Sequence, residues 1–393
     1  MVNRSVSSLL LVIVIFWPTK VRDSAPDLPI LHQPMTVETE AAADYLNYLV
    51  ARGVKLEHQG FRVESVDGSM IYADHQGDRI FNPASVIKIA TSLAALERFG
   101  GNHRFETSFY IDGTLDDTGV LTGNLILASD GDPEMGTTDL VRLARKLIRH
   151  GVRRVTGQLI IAGPFTIGNL YSERWVIPHL VRTLRRIGLR VPFEVQYGDI
   201  RGTLIAQRFS EPLSKILFYQ NALSHNTIAE RLGVSLGGPQ TIERYLETEI
   251  GIPKGEVLVE RASGLKENKI TPTGVIMMLR KLVGWLEKNQ MSPEDILPVA
   301  GIDRGTLRGR FTARRHRGAL VAKTGTLVAT DKGISTLAGI LYTKDHGPML
   351  FAIINTHGPV LQYRKFQDRF LKQLLAEYGG KPSTNAATTG STK

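Results

Sequence analysis

Two side chains that together could activate a nucleophile, Ser85 and Lys88, stand three residues apart in the segment NPASVIKIATSLAALERFG (82–100). Residues three apart on a helix share one face, so the lysine amine can reach the serine oxygen. The rest of the segment is largely apolar, and a buried amine has a lowered pKa and can act as a base. The pair indicates an activated serine, although Ser-x-x-Lys also occurs by chance in many proteins.

Two further polar motifs follow along the chain. SHN (224–226) lies in a stretch with helical character, and KTGT (323–326) lies in the alternating segment GALVAKTGTLV, which predicts a strand. The order Ser-x-x-Lys, Ser-x-Asn, Lys-Thr-Gly is the one found in penicillin-binding proteins and serine β-lactamases. Together the three motifs predict an enzyme that transfers acyl groups through a serine.

In such an enzyme the motifs divide the chemistry between them. Ser85 attacks the substrate carbonyl, and Lys88 accepts the proton of its hydroxyl. Ser224 relays a proton to the leaving amine. The backbone N–H groups of Ser85 and Thr326 are expected to form the oxyanion hole that stabilises the tetrahedral intermediate.

The remaining motif residues are expected to bind the substrate. Asn226 hydrogen-bonds a substrate amide. Lys323 supplies positive charge for a substrate carboxylate, and Thr324 and Thr326 bind that carboxylate through their hydroxyls. Gly325 has no side chain, so the substrate backbone can lie close to this strand.

Around these motifs the chain resembles the D-alanyl-D-alanine carboxypeptidases/endopeptidases among the low-molecular-mass class C penicillin-binding proteins. The similarity spans roughly residues 80–356 and includes GNLILASDGDPEM, PLSKILFYQNALSHNTIAE, RASGLKENKITP, LPVAGIDRGTLRGRF and AKTGTL…ISTLAGIL. It implies an α/β (α+β) fold of the penicillin-binding and serine β-lactamase type, in which helices cover an antiparallel sheet and the Ser85 helix lies in the core. It also implies cleavage of peptidoglycan stem peptides through an acyl-enzyme on Ser85, covalent inhibition by β-lactams, and no cofactor or metal.

Three features depart from the family pattern. His225 stands where the family usually has Asp or Asn, at a position that points away from the chemistry, and a histidine there could add pH sensitivity. Thr326 replaces the more common serine and keeps the hydroxyl. The stretch between Lys88 and Ser224 is shorter than in the longest members. An inserted module is therefore expected to be reduced or missing, together with any preference for endopeptidase action linked to it.

The sequence divides into predicted parts: a signal peptide or uncleaved anchor (1–26), a discontinuous transpeptidase-like domain (27–104 and 206–378), an inserted α+β module (105–205) and a disordered tail (379–393). The apolar core of the first part has the length of a secretory signal rather than of a membrane span. We therefore expect the protein to be exported across the cytoplasmic membrane, to the periplasm or to the outer face of that membrane. Residues 27–40 are Pro-rich and are expected to form a linker.

The bulk composition is compatible with an exported enzyme. The 393 residues include no cysteine, which excludes disulfides, thiolate metal sites and a cysteine nucleophile. The net charge of +10 favours anionic partners, such as cell-wall polymers or a phospholipid surface. For an exported enzyme we expect no nucleic-acid partner, even for the basic run RGRFTARRHRG (308–318). The histidines form no His-x-x-x-His pair, so we predict no zinc site.

Three local features have an interpretation of their own. The segment SDGDPEM (129–135) alternates acidic residues like part of a calcium loop, but it lacks the other ligands, and a turn is expected. The segment SGL (263–265) either lines the cleft or forms a structural turn. Trp175 is expected in the core.

Two alternative functions remain open from sequence. A serine β-lactamase would share the nucleophile, but no dedicated Glu or Asp that could activate the deacylating water is recognisable. A catalytically silent cell-wall-binding protein is disfavoured because all three motifs are intact. Rapid turnover of a β-lactam would favour the first alternative, and an unchanged rate after Ser85→Ala would favour the second.

Overall fold

The structure, a computed structural model, describes residues 34–382. The predicted signal segment (1–26) and residues 383–393 of the predicted tail lie outside the described residues. The α-helices of the described part are α1 Glu40–Val50, α2 Lys88–Phe99, α3 Thr137–Arg149, α4 Glu173–Arg186, α5 Leu213–Leu223, α6 Asn226–Ser235, α7 Pro239–Thr248, α8 Pro272–Lys288 and α9 Val360–Glu377. In this part of the chain, no helix has both the length and the hydrophobicity needed to cross a membrane.

The strands of the same part form two sheets. They are β1 Met35–Thr36, β2 Gln59–Ser65, β3 Met70–His75, β4 Glu106–Leu115, β5 Val120–Ser129, β6 Arg154–Val155, β7 Leu159–Ala162, β8 Val195–Tyr197, β9 Thr203–Phe209, β10 Leu320–Leu327, β11 Ile334–Thr343 and β12 Gly347–Thr356.

The first sheet combines strands from the beginning and from the end of the described chain. Its order is β1-β3-β2-β12-β11-β10, antiparallel except for β1, which runs parallel to β3. Residues 35–36 thus extend a sheet within the segment predicted to be a linker. The middle of β11 is buried on both faces, which explains why ISTLAGIL is almost continuously apolar. The predicted antiparallel sheet is confirmed.

Helices cover both faces of this sheet. On one face, α1 and α9 pack together, and the rings of Tyr45 and Phe370 stack with their centres 4.7 Å apart. On the other face lie α2 and α8. Successive residues of a strand point to opposite faces of the sheet. Along β11, Leu337 therefore packs in the core under α1 and α9, and Ile340 packs in the core under α2 and α8. The helix that follows Ser85 is therefore part of a core, as predicted.

The second sheet is built from residues 106–209. Its order is β8-β7-β5-β4-β9, with β6 beside β5. Helices α3 and α4 pack on one face, where Leu140, Leu180 and Leu125 share a core, whereas Ile126 lies in a small separate cluster on the opposite face. Strand β9 extends past residue 205, and the predicted domain boundaries stay a prediction.

The prediction that Trp175 lies in the core was wrong. Its side chain in α4 is 60% exposed. The helix buries Val176, Leu180 and Leu184 as its apolar stripe, and Trp175 lies beside that stripe on the outer side. The prediction relied on residue type alone, and aromatic side chains are often buried because their rings have a large apolar area.

Candidate active site

Ser85 lies in a short 3-10 turn, Ala84–Ile87, that leads directly into α2. The sequence placed it on the helix itself. Ala84 has a left-handed backbone with φ of 48°, and its N–H donates to Asn82 Oδ1 at 2.9 Å. A residue that is held in this sparsely populated conformation needs such support from its surroundings. The turn leaves Ser85 partly exposed at the start of an otherwise buried helix.

Lys88 is the fully buried first residue of α2. Its Nζ donates to Ser85 Oγ at 2.9 Å, to Asn226 Oδ1 at 2.8 Å and to the Ser263 carbonyl. Burial lowers the pKa of Lys88 to about 7, and the negative charge of Glu230 opposes that shift. An amine with a pKa near neutrality can accept a proton from a hydroxyl within hydrogen-bond distance. The geometry is therefore that of a serine with its base.

The SHN motif lies where the chain breaks between two helices. Ser224 ends α5 with a left-handed φ of 54°, and His225 caps the start of α6. Because of this break, the two polar ends of the motif contact different lysines. Ser224 Oγ accepts from Lys323 Nζ at 2.9 Å, whereas Asn226 Oδ1 accepts from Lys88.

Lys323 is fully buried on β10. Besides Ser224, its Nζ contacts the Thr324 carbonyl at 2.6 Å. Burial, and then the positive charge of Lys88, lower the pKa of Lys323 well below its usual value. A carboxylate arriving beside this amine would favour its charged form again. The role of Lys323 as a cation for substrate stays a prediction.

Arg364 of α9 is a site residue that sequence reasoning missed. Its Nη2 donates to Thr326 Oγ1 at 2.9 Å. The segment YRKFQDRF looks like any amphipathic terminal helix, and only the packing of α9 against the sheet brings this one arginine to the end of β10. A guanidinium stays protonated across the physiological range. It therefore places a permanent positive charge beside a hydroxyl predicted to bind carboxylate.

Gly325 has a packing role in addition to its predicted one. A Cβ at this position would lie 2.7 Å from the Pro83 carbonyl and 3.0 Å from Ala84 Cβ. The same carbonyl accepts from Thr336 Oγ1 at 2.8 Å. Strand β10 can thus lie against the Ser85 turn only because residue 325 has no side chain. Contact of Gly325 with substrate stays a prediction.

The SGL segment lies beside the nucleophile. The Ser263 carbonyl accepts from Lys88, and Ser263 N donates to Glu230 Oε1 at 3.1 Å. Gly264 has φ of +82°, and a Cβ on it would lie only 2.5 Å from the Ala84 carbonyl carbon. Of the two interpretations left open by sequence, the structure supports the one in which this segment lines the site.

Another buried cation, Arg231, lies further along α6. Arg231 donates from Nε to Thr166 Oγ1 and from Nη2 to the Asp132 carbonyl, both at 2.7 Å. The Asp132 carboxylate pairs with Arg208. The SDGDPEM segment is thus an ion-paired turn, which joins the second sheet to the helix that carries Asn226.

A helix-covered antiparallel sheet, with a serine–lysine turn against its edge strand, defines a protein of the penicillin-binding and serine β-lactamase-like fold. Residues 46–180 and 171–373 match the D-Ala-D-Ala carboxypeptidase 3 (S13) family. The chain belongs to that family.

Known relatives agree with this assignment. The D-alanyl-D-alanine carboxypeptidase DacB of Haemophilus influenzae is 30% identical over 102 residues, which is 26% of this chain and 21% of that protein. The match thus spans about a fifth of the relative's length.

Solved structures show the same fold over most of the chain. Penicillin binding protein 4 of Haemophilus influenzae superposes with a TM-score of 0.64 at 20% identity, over 82% of this chain and 96% of that one. A penicillin G-acylated predatory endopeptidase of Bdellovibrio bacteriovorus, in complex with an immunity protein, gives 0.60 at 21% identity, over 82% and 93%.

Proposed function

We propose that this protein is a serine D-Ala-D-Ala carboxypeptidase that cleaves peptidoglycan stem peptides. The observation that carries the proposal is the 2.9 Å contact between Lys88 Nζ and Ser85 Oγ, at a lysine whose burial brings its pKa to about 7. Family membership supplies the reaction class, and the site supplies a nucleophile and a base.

The reaction proceeds in two acyl-transfer steps. Ser85 Oγ attacks the carbonyl of the penultimate D-Ala while Lys88 takes the hydroxyl proton, and an ester forms on the serine. The proton that Lys88 has taken is passed to the amine nitrogen of the terminal D-Ala as the amide bond breaks, and the Ser224 hydroxyl is proposed to relay it. Water then attacks the ester, Lys88 takes one proton from that water and passes it to Ser85 Oγ, and the shortened peptide leaves with a free carboxylate.

The carboxylate at the end of the substrate is proposed to bind between β10 and α9. Thr324 and Thr326 offer hydroxyls from the strand, and Arg364 offers a charged donor already bonded to Thr326. Burial lowers the pKa of Lys323, and a carboxylate that binds beside it would favour the charged amine again. Recognition of a free C-terminus is thus proposed to use Arg364 together with Lys323.

Cleavage of cross-linked peptides is a second proposed activity of the same site. One structural neighbour is described as an endopeptidase. In a cross-linked peptide, as in a stem peptide that ends in D-Ala-D-Ala, the bond to be cleaved is an amide on the carbonyl of a D-Ala. We also propose that the protein acts in the periplasm or on the outer face of the cytoplasmic membrane, because the residue pattern of 1–26 is secretory and peptidoglycan lies outside that membrane.

Intact-protein mass spectrometry after incubation with benzylpenicillin tests the proposal. Wild type should form a stable adduct, and Ser85→Ala should form none. Ser172→Ala, an exposed serine without a capping hydrogen bond, is the matched control and should react like wild type. Release of D-Ala from a peptide ending in D-Ala-D-Ala should follow the same pattern.

The same assay distinguishes the rival functions. Rapid loss of drug without a lasting adduct would identify a β-lactamase. Neither adduct nor drug loss in a folded wild-type protein would leave the silent wall-binding protein as the better description.

A further inference from the structure

The helices of the second sheet carry most of the chain's excess charge. Residues 137–194 hold eleven arginines and lysines against three acidic residues, a net charge of +8, whereas the whole chain has +10. All eleven basic residues are exposed. Lys146 in α3 donates to the Gln207 carbonyl of β9 at 2.7 Å. The others on the two helices, here called the basic face, are Arg142, Arg145, Arg149, Arg174, Arg182, Arg185 and Arg186.

The basic face points in one direction. Helices α3 and α4 pack side by side on the same face of the sheet and share one core with it. The apolar stripe of each helix, with Leu143 in α3 and Leu180 in α4 at its centre, is turned towards that core. Polar residues on the opposite side of each helix must then face away from the sheet together.

Large apolar rings are exposed among these arginines. Phe193 is 74% exposed and Trp175 is 60% exposed. The Arg185 guanidinium lies 3.6 Å from the centre of the Phe193 ring, and that of Arg174 lies 5.3 Å from the Trp175 ring. Val181 and Phe193 also line a groove of about 570 Å³ on this side of α4. The face is therefore amphipathic as well as basic.

We propose that the basic face docks the protein on a membrane surface that carries anionic lipid headgroups. Each arginine near such a surface gains attraction from its negative potential. Trp175 and Phe193 would enter the interfacial layer, where aromatic rings with polar neighbours are favoured. A hydrophilic wall polymer would also attract the charge, but it offers no favourable environment for the two exposed rings.

A second basic segment of the chain provides a matched contrast. In the 308–318 run, Arg314, Arg315 and Arg317 are exposed, but the one aromatic residue, Phe311, is buried. This segment has charge without exposed rings. It therefore separates the effect of net charge from the effect of the proposed docking face.

Co-flotation of residues 27–393, which lack the predicted signal segment, with lipid vesicles tests the proposal. Wild type should bind vesicles of phosphatidylcholine with phosphatidylglycerol, bind pure phosphatidylcholine far less, and lose binding as salt is raised. Replacement of three arginines in R182Q/R185Q/R186Q should weaken binding about a hundredfold. R314Q/R315Q/R317Q changes the net charge equally and should bind like wild type.

A second variant tests the aromatic part of the interaction. W175S/F193S keeps every charge and should weaken vesicle binding by about tenfold. Thermal unfolding curves show whether each variant is folded. Absence of binding by folded wild type, or equal losses in both triple variants, would overturn the proposal. So would unchanged binding by W175S/F193S together with equally tight binding of soluble polyglutamate, because charge alone would then explain the attraction.

Discussion

Helix α6 borders two buried cationic centres that are built in opposite ways. At its start, Asn226 contacts Lys88, and burial brings the pKa of that lysine to about 7. Further along, burial lowers the pKa of Arg231 only to about 10, because the nearby Asp132 carboxylate counteracts it. The lysine can therefore lose its proton near neutral pH, whereas the arginine stays charged.

The difference separates the cation proposed to act as a base from one with a structural role. A base must exist in its neutral form, so the site holds Lys88 among neutral oxygen acceptors, and its bonded partners include no carboxylate. A cation that joins two parts of a fold must keep its charge, and a buried charge needs a counterion and satisfied donors. Arg231 has both, since Asp132 lies beside it and Thr166 accepts two of its hydrogen bonds.

The largest effect is expected from making the catalytic cation permanent. Lys88→Arg replaces an amine that can lose its proton by a guanidinium that cannot, so acylation of Ser85 by benzylpenicillin should slow by about 10²- to 10⁴-fold. Lys88→Met, which has no basic atom, should be equally slow. The exposed Lys215→Arg serves as control. Time-resolved mass spectrometry measures the rates, and a rate close to wild type in either Lys88 variant would mean that another group is the base.

The structural cation should respond in stability instead of chemistry. Arg231→Met leaves the Asp132 and Thr166 acceptors buried without their donor, and the free energy of unfolding should fall by about 3–5 kcal/mol. Urea denaturation measures this, with the exposed Arg142→Met as control. Acylation of the protein that remains folded should change little. A large loss of acylation at unchanged stability would remove the distinction between the two centres.

Arg364 tests whether a permanent cation also acts in substrate binding. Arg364→Gln should lower kcat/KM for a peptide with a free C-terminal carboxylate by about ten- to a hundredfold, the usual range for a hydrogen bond to a charged group. For the same peptide with a C-terminal amide, wild type and variant should agree. Arg369→Gln lies on the exposed side of the same helix and should leave both rates unchanged. Equal losses on both peptides would assign Arg364 to structure rather than to recognition.

The pH dependence follows from the neutral form of Lys88. Below its pKa of about 7 the amine is protonated and cannot accept the proton of Ser85, so the rate should fall about tenfold for each pH unit below that value. Above it the rate should level off. Acylation rates between pH 5 and pH 9 provide the measurement, and a profile flat across neutrality would contradict the assigned base.

The sequence predicted those parts of the site that depend on short motifs. Ser85 and Lys88 are joined by local geometry, so their spacing was sufficient. The sequence did not predict the contacts that depend on tertiary packing. Arg364 reaches the site only because α9 packs on the sheet near the end of β10. The Ser263 carbonyl reaches Lys88 only because Gly264 packs closely against the turn at Ala84. Trp175 was misplaced because one position on a helix decides between core and surface.

The smallest effect is expected at His225, which stands between the two centres. Its Nδ1 accepts from Ile228 N at 3.4 Å, and burial, then the charges of Lys88 and Arg231, lower its pKa. These surroundings therefore favour the neutral form of the ring. His225→Asn keeps a good helix cap, and its acylation rate should stay within about twofold of wild type, with the same pH midpoint.

His225→Asp sharpens that test, because it places a negative charge near Lys88 and so favours the protonated amine. The midpoint of the acylation profile should move to higher pH, while His225→Asn leaves it in place. An upward shift in the aspartate variant alone would show that a second carboxylate, besides that of Glu230, raises the pKa of Lys88 further. Equal midpoints in both variants would mean that a carboxylate at position 225 does not change this pKa, and the contrast with Arg231 would then rest on residue type rather than on counterions.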